Sequence, residues 1–233
     1  MVTAELSATM RDYLAEIYRL SDRSGDAQGY ISTSVLADLL DVTAPAVNRM
    51  VTRLRELELL QHEPYQGIRL TDAGRREALK QLRKHRIVES FLVEVMGFEW
   101  HEVHDEADPI SRGVTEPLVA RMLQMAGNPS FCPHGEPIPS QDGDVPEMHD
   151  ILLTEAPHHQ PLEITRVRTR EADRLEYLEA LHLTPGAQVT VLNAAPFHGP
   201  IQLKLDNEFR IIGHNLAEMI RAHVIDEDEN SST

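Results

Sequence analysis

Apolar positions recur at helical spacing over residues 6–22, where Leu6, Met10, Tyr13, Leu14, Ile17 and Tyr18 mark one face. The polar stretch SDRSGDAQGY that follows reads as a loop. Helical periodicity returns from about Thr33 to Leu40, pauses at Asp41-Val42-Thr43, and resumes from about Ala44 to Glu56 with Val47, Val51 and Leu54 on the inner face. Thr43 suits an N-cap, and Pro45 is tolerated in a first helical turn. LLQHEPYQGIRL predicts two strands around a tight turn at Gln66-Gly67. A helix–turn–helix followed by a β-hairpin is the winged-helix arrangement.

A longer helix, capped by Thr71 or Asp72, is predicted to run to about Val95 and to end at Gly97. The next stretch, EWHEVHDEADPISRGVTEPLVARMLQMAG, reads as mostly helical, with Pro109 bending or breaking it. Residues 127–161 hold seven prolines and few large apolar side chains, which predicts loop and linker. From 162 to 212 the period shortens to two, in LEITRVRT, AQVTVLNA and IQLKLDNEFRII, with one helix at Glu171–Leu181. That texture predicts a small β-barrel. A last helix is expected at about Asn215 to His223, before a disordered acidic tail. The fold class is mainly α with a small β domain.

Composition narrows the setting. The chain has 233 residues, enough for two or three compact units, and 41% of them are hydrophobic. No apolar run approaches the roughly 20 residues that span a bilayer, and the N-terminus does not read as a signal peptide. A single cysteine, Cys132, fits a reducing cytoplasm. The net charge of −16 argues against nucleic acid until its distribution is examined. Residues 43–86 carry 10 basic and 5 acidic side chains, net +5, in an otherwise acidic chain. The second helix of the helix–turn–helix would show Thr43, Ala44, Pro45, Asn48 and Arg49 to a major groove, with Thr52 and Arg53 one turn on. Arg pairs bidentately with guanine and Asn with adenine. Arg69 in the wing, with Arg75 and Arg76 beyond it, suits phosphate contacts.

Metal-ligating types cluster as well. His85 and Glu89 lie four apart on one helix, and His104 and Asp108 repeat the spacing on the next. Asp12 sits on the first helix, and Cys132 and His134 fall in the proline-rich loop. Carboxylate, imidazole and thiol from separate segments make a donor set for a divalent transition metal. His101, His158, His159, His182, His198, His214 and His223 are assigned no role.

Taken in order, MRDYLAEIYRL, LADLLDVTAPAVNRMVTRLRELELL, YQGIRLTDAGR, RKHRIVESFL, VHDEAD and CPHGEPIP resemble the diphtheria toxin repressor family of metal-activated transcriptional regulators, above all its manganese-responsive branch. The resemblance spans about residues 6–140 and extends more loosely over 162–225. It implies a winged helix-turn-helix DNA-binding domain at 1–74, a helical dimerisation and metal-binding domain at 75–140, and a linker at 141–161. An SH3-like β-barrel at 162–225 and the acidic tail at 226–233 complete the chain. It also implies a cytoplasmic homodimer that binds double-stranded DNA at a palindromic operator, without membrane or small organic substrate, and controls metal uptake.

Two metal sites follow from the same resemblance. Asp12 matches a ligand on the first helix, where a carboxylate goes with manganese sensing. His85, Glu89 and His104 match an ancillary site, to which the SH3-like domain adds Glu171. Asp108 matches a primary-site ligand, with Glu106 in reserve. Where many relatives continue with a Glu–His pair, this chain has Ser111 and Arg112, and a guanidinium cannot ligate. Cys132 and His134 are then expected to complete the primary site, Cys132 through sulfur or through its backbone carbonyl. Mn(II) is the expected effector. Fe(II) is the alternative within the family, and other divalent ions are expected to substitute in vitro. A winged-helix regulator with an organic effector and a metalloenzyme are the competing classes. Neither a catalytic triad, a Gly-rich phosphate loop nor an HExxH motif supports an enzyme.

Overall fold

The computed structural model describes residues 6–24 and 29–225, so the segment expected to be an acidic tail lies outside the described residues. The chain divides into two compact units. One takes in residues through His85 together with Ile110–Val114 and Pro139–Val145; the other takes in Arg86–Pro109, Thr115–Ile138 and the chain from Pro146.

The first unit is built on helices α1 (Ala8–Ser24), α2 (Thr33–Leu39) and α3 (Ala44–Glu56), strands β1 (Leu60–Glu63) and β2 (Gly67–Leu70), and the start of α4 (Asp72–Glu94). The apolar face of α1, with Met10, Leu14 and Ile17, packs on Leu36, Val47, Val51, Leu54, Leu60 and Ile68. Helix α1 continues through Ser24, into the stretch expected as loop. No helix breaker precedes Gly25, and Arg23 in the last turn favours the carbonyl end of the dipole. Strands β1 and β2 pair antiparallel from Leu60↔Leu70 to Glu63↔Gly67. Ile31 exchanges two backbone hydrogen bonds of 2.9 Å with Ile68 and so widens the wing. Of the two capping candidates for α4, Thr71 does the work: its Oγ1 accepts from Gly74 N at 3.1 Å and donates to Glu58 O at 2.7 Å.

In the second unit, Pro109 neither ends nor breaks its helix. It stays inside α5 (Val103–Gly113), and the chain breaks only before α6 (Glu116–Met125). Proline deletes one hydrogen bond, to the carbonyl of Asp105, and that residue is exposed to solvent, which lowers the cost. The C-terminal part forms a six-stranded antiparallel sheet in the order β3-β8-β4-β5-β6-β7. The strands are β3 (Ile151–Leu152), β4 (Pro161–Val167), β5 (Gln188–Ala194), β6 (Ile201–Leu205), β7 (Glu208–Ile212) and β8 (Ile220–Val224), with α7 (Ala172–Ala180) between β4 and β5. Two expectations need correction. The proline-rich stretch contains strand β3 and a 3-10 turn at Leu153–Glu155. The last helix, α8, spans only His214–Ala217, and the chain continues as β8 between β3 and β4. Ile220 and Ala222 are buried on one face of β8, an alternation that a tertiary partner had to select from a sequence equally compatible with a helix.

Asp150, just before β3, ties three segments together. Arg166 on β4 grips its two carboxylate oxygens from Nε at 2.7 Å and Nη2 at 3.0 Å. Arg221 on β8 donates to Oδ1 at 2.6 Å and to the Asp150 carbonyl at 2.7 Å, and Thr165 Oγ1 donates at 2.9 Å. Burial alone would raise the Asp150 carboxyl above its ordinary value, but the hydrogen bonds from Arg166 and Arg221 outweigh it and hold the group below. Its contribution is therefore complete above the ordinary carboxyl range and is lost as pH falls through the depressed value. Asp150→Asn is expected to destabilise the protein by about 3 kcal/mol at pH 7, as for breaking a buried pair. Denaturant unfolding at pH 7 and again near pH 3 checks this; the difference between variant and parent should shrink at the lower pH.

Candidate metal centre and recognition helix

On helix α4, His85 and Glu89 lie one turn apart on one face. His104 comes from the first turn of α5, and Cys132 and His134 from the loop after α6. All five side chains are buried; Glu89 is 1% exposed. Potential ligand atoms of His85, Glu89 and His104 lie within 4.8 Å of one another, and so do those of Glu89, Cys132 and His134. Glu89 belongs to both sets, a sharing that sequence spacing does not reveal.

The orientation of His134 decides what the centre can do. Its Nε2 lies 2.8 Å from the Trp100 carbonyl oxygen. A carbonyl only accepts, so Nε2 carries a proton and Nδ1 is turned toward Glu89 Oε2, at 3.9 Å. On the other side, His104 Nδ1 lies 2.6 Å from Glu89 Oε1. The His134 ring stacks with both Trp100 and His104, with centroids 5.3 and 4.2 Å away. A histidine whose outer nitrogen is fixed by a carbonyl, with its inner nitrogen aimed at a buried carboxylate, has the form of a metal ligand. The donor set of imidazole, carboxylate and sulfur fits a divalent first-row cation.

The loop that brings these groups is held from several sides. Val167 N donates to His134 O at 2.9 Å, and the Cys132 carbonyl accepts from Gly135 N at 2.8 Å. Glu136 sits among three guanidinium groups, those of Arg86 at 3.0 Å, Arg166 at 3.5 Å and Arg168 at 3.4 Å. Arg86 Nη1 also donates to the Pro137 carbonyl at 2.6 Å. Burial, then the charge of Glu89, pushes the Cys132 thiol well above its ordinary value; Arg86 and the His134 backbone N–H offset part of this.

The other expected ligands are engaged elsewhere. Asp12 Oδ2 is 2.9 Å from Arg112 Nε. Arg170 Nη2 spans both oxygens of Asp108, at 2.9 and 3.0 Å. Glu171 is 2.7 Å from Arg174 Nε on the first turn of α7, and Glu106 is exposed. Trp100, Arg86 and Glu136, which orient the loop, carried no signal in the sequence beyond their proximity to His85 and Cys132. On the first unit, Thr43, Ala44, Pro45, Asn48, Arg49, Thr52 and Arg53 are all exposed along α3, while Val47, Val51 and Leu54 are buried. Thr43 holds the extended N-cap position, though its side chain makes no cap hydrogen bond. Thr52 Oγ1 donates back to Asn48 O at 2.9 Å. Arg69 is set by Gln61 Oε1 at 2.7 Å and by the Tyr30 ring, 5.0 Å from its centroid.

Residues 5–68 match the model of the iron dependent repressor N-terminal DNA binding domain. Residues 71–140 match the iron dependent repressor metal binding and dimerisation domain, and residues 151–223 match the FeoA domain. The chain is 29% identical over 234 residues to the iron-dependent repressor IdeR of Mycobacterium tuberculosis strain H37Rv, covering 95% of this chain and 99% of that one. A solved manganese-dependent transcriptional repressor in complex with manganese is similar at TM-score 0.85 and 30% identity, covering 93% of this chain and 100% of that one. ScaR with bound Zn2+ is similar at TM-score 0.79 and 31% identity, covering 93% and 99%.

Gly135 has φ +81°, and a Cβ there would meet Thr165 O at 2.0 Å. Gly135→Ala is therefore expected to shift the loop, to cost on the order of 2–3 kcal/mol in unfolding free energy, and to change the emission of Trp100, the one tryptophan. Gly127→Ala is the control, with φ +84° but nothing within 4 Å of the added methyl. It should cost less and leave the emission unchanged.

Proposed function

This chain belongs to the iron-dependent repressor family of metal-dependent transcriptional repressors, and on that premise we propose that it represses metal-uptake genes in response to Mn(II), held at the centre around Glu89. The observation that carries this reading is the buried Glu89 carboxylate, with His104 at 2.6 Å on one oxygen and His134 Nδ1 turned toward the other. The manganese-dependent repressor with TM-score 0.85 favours Mn(II) as effector, and IdeR keeps Fe(II) as the second reading.

A divalent cation held by donors of the two sets that share Glu89 would supply positive charge beside that carboxylate. The residues of the chain do the rest. Trp100 O fixes the His134 tautomer, and the stacked rings hold its plane. Arg86, Arg166 and Arg168 clamp Glu136, which keeps Cys132 and His134 from moving independently of β4. Helix α4 carries His85 and Glu89 and begins directly after the wing, capped by Thr71. Asp12 and Asp108 face guanidinium groups, which are permanently charged, and we assign them no ligand role.

The DNA surface is the exposed face of α3, with Asn48 and Arg49 at base edges of a palindromic operator and Arg69 on phosphate. Helix α6 buries only Val119 and leaves Leu118 and Met125 about half exposed. We assign residues 96–125 to the homodimer contact, which sets two recognition helices about 34 Å apart, one turn of DNA.

Adding Mn(II) to metal-free protein is expected to tighten operator binding about 5- to 150-fold, the usual range of allosteric coupling, measured by fluorescence anisotropy at fixed salt. Glu89→Gln and His134→Ala should abolish the gain, and Asp12→Ala should keep it. Unchanged affinity with Mn(II), Fe(II) and Zn(II) alike would point instead to an organic effector. Separately, Arg49→Ala should cost about 1–3 kcal/mol at the operator and relax discrimination at one base pair, whereas Arg76→Ala should mainly lower the salt dependence.

A further inference from the structure

A second group of ligating side chains lies on the surface of the SH3-like domain, away from the buried centre in sequence and in chemistry. His198 stands in the loop between β5 and β6, His214 opens α8, and Glu218 follows it by one helical turn. Their ligand atoms lie within 4.8 Å of one another. His198 Nδ1 is 2.8 Å from His214 Nε2, and His214 Nε2 is 3.4 Å from Glu218 Oε1. We propose that His198, His214 and Glu218 form a surface site for a Zn(II)-class divalent cation, independent of the centre around Glu89.

The separations carry the proposal. Zn–N and Zn–O bonds of about 2.0–2.1 Å in a tetrahedron put neighbouring ligand atoms about 3.3–3.4 Å apart. The His214–Glu218 spacing already has that value. The two imidazole nitrogens sit closer because one N–H now points at the other ring's lone pair; replacing that proton with a cation opens the pair by about half an ångström. The rings meet edge to face, at 82°, so both in-plane lone pairs can converge on one point without steric contact between ring faces. Two imidazoles and one carboxylate on an exposed surface leave a fourth position for water, and this donor set binds Zn(II), Cu(II) or Ni(II) in preference to Mn(II).

The backbone holds the ligands in place beforehand. The loop at 195–200 is closed by Ala195 N to Pro200 O at 3.0 Å and by Gly199 N to Pro196 O at 3.2 Å. Phe197 and His198 both adopt left-handed backbone angles, φ +60° and +54°, which few side chains tolerate without a reason. On the other side, Leu216 and Ala217 of α8 are buried in the sheet's core, so His214 and Glu218 project from an anchored turn. A bound cation ties the β5–β6 loop to α8.

The test uses the full chain carrying His134→Ala, which removes the buried centre's loop ligand, and compares it with the same chain carrying His198→Ala and His214→Ala in addition. Isothermal titration with Zn(II) should show one equivalent fewer in the latter, and Zn(II) should raise the midpoint of thermal unfolding more in the former. Glu218→Gln should weaken that equivalent at least about tenfold, the loss that even a ligand's supporting hydrogen-bond partner brings. His198→Ala alone, an exposed position, guards against misfolding of the double variant and should also lose the equivalent. Equal stoichiometry and equal thermal response in the two proteins would overturn the proposal. A failure of Mn(II)-dependent operator binding in the unsubstituted protein would bear on the Glu89 centre alone.

Discussion

Burying a carboxylate is favourable only if positive charge comes with it, since the penalty in a protein interior is several kcal/mol per ion. The groups brought to the two oxygens of Glu89 are imidazoles, those of His104 and His134. Around this carboxylate the chain assembles helix α4, the first turn of α5 and the loop at 130–139, each contributing one or two buried ligating groups. The loop's position in turn depends on Glu136 among three arginines and on Gly135, whose missing Cβ lets the backbone lie against Thr165 O. The buried carboxylate, its imidazoles and the clamped loop form one dependent series.

Asp12 and Asp108 are only partly buried and meet a different kind of partner. Their counter-charges are the guanidinium groups of Arg112 and Arg170, which do not lose a proton at any physiological pH. A permanent ion pair holds a structure in one state. An imidazole–carboxylate cluster has two, because its charge balance changes when a cation enters. On the proposed reading, that difference separates the Asp12 and Asp108 pairs from the centre around Glu89.

The α elements of the first unit were legible because their signals are local. The stripe on α1, the pause at Asp41-Val42-Thr43 and the alternation around Gln66-Gly67 all report on neighbours within a few residues. The run of α3 from Ala44 to Glu56 came out as expected. Errors came where a long-range partner decides. Strand β8 was expected as helix, because Met219-Ile220-Arg221-Ala222-His223 suits either state until β4 and β3 offer it hydrogen bonds. Strand β3 is only two residues long and exists through its pairing with β8. Propensity sets Pro109 against a helix interior, yet α5 runs through it where the bond lost is to exposed Asp105.

The same division applies to the sites. Residue types and i,i+4 spacing mark His85, Glu89 and His104 as donors, Cys132 and His134 as a loop pair, and α3 as a basic, exposed recognition helix. His214 and Glu218 also lie four apart, a signal that spacing offers and that only His198, 16 residues earlier, makes meaningful. Tertiary structure decided the rest: that Glu89 is shared, that His134 turns Nδ1 inward, that Arg112 meets Asp12 and that Arg170 meets Asp108. The physical reason is range. Periodicity and capping are governed by bonds along the chain, whereas a charge's partner is fixed by whichever group the fold brings within about 3 to 4 Å, and Coulomb energy at that distance in a buried site exceeds any local preference.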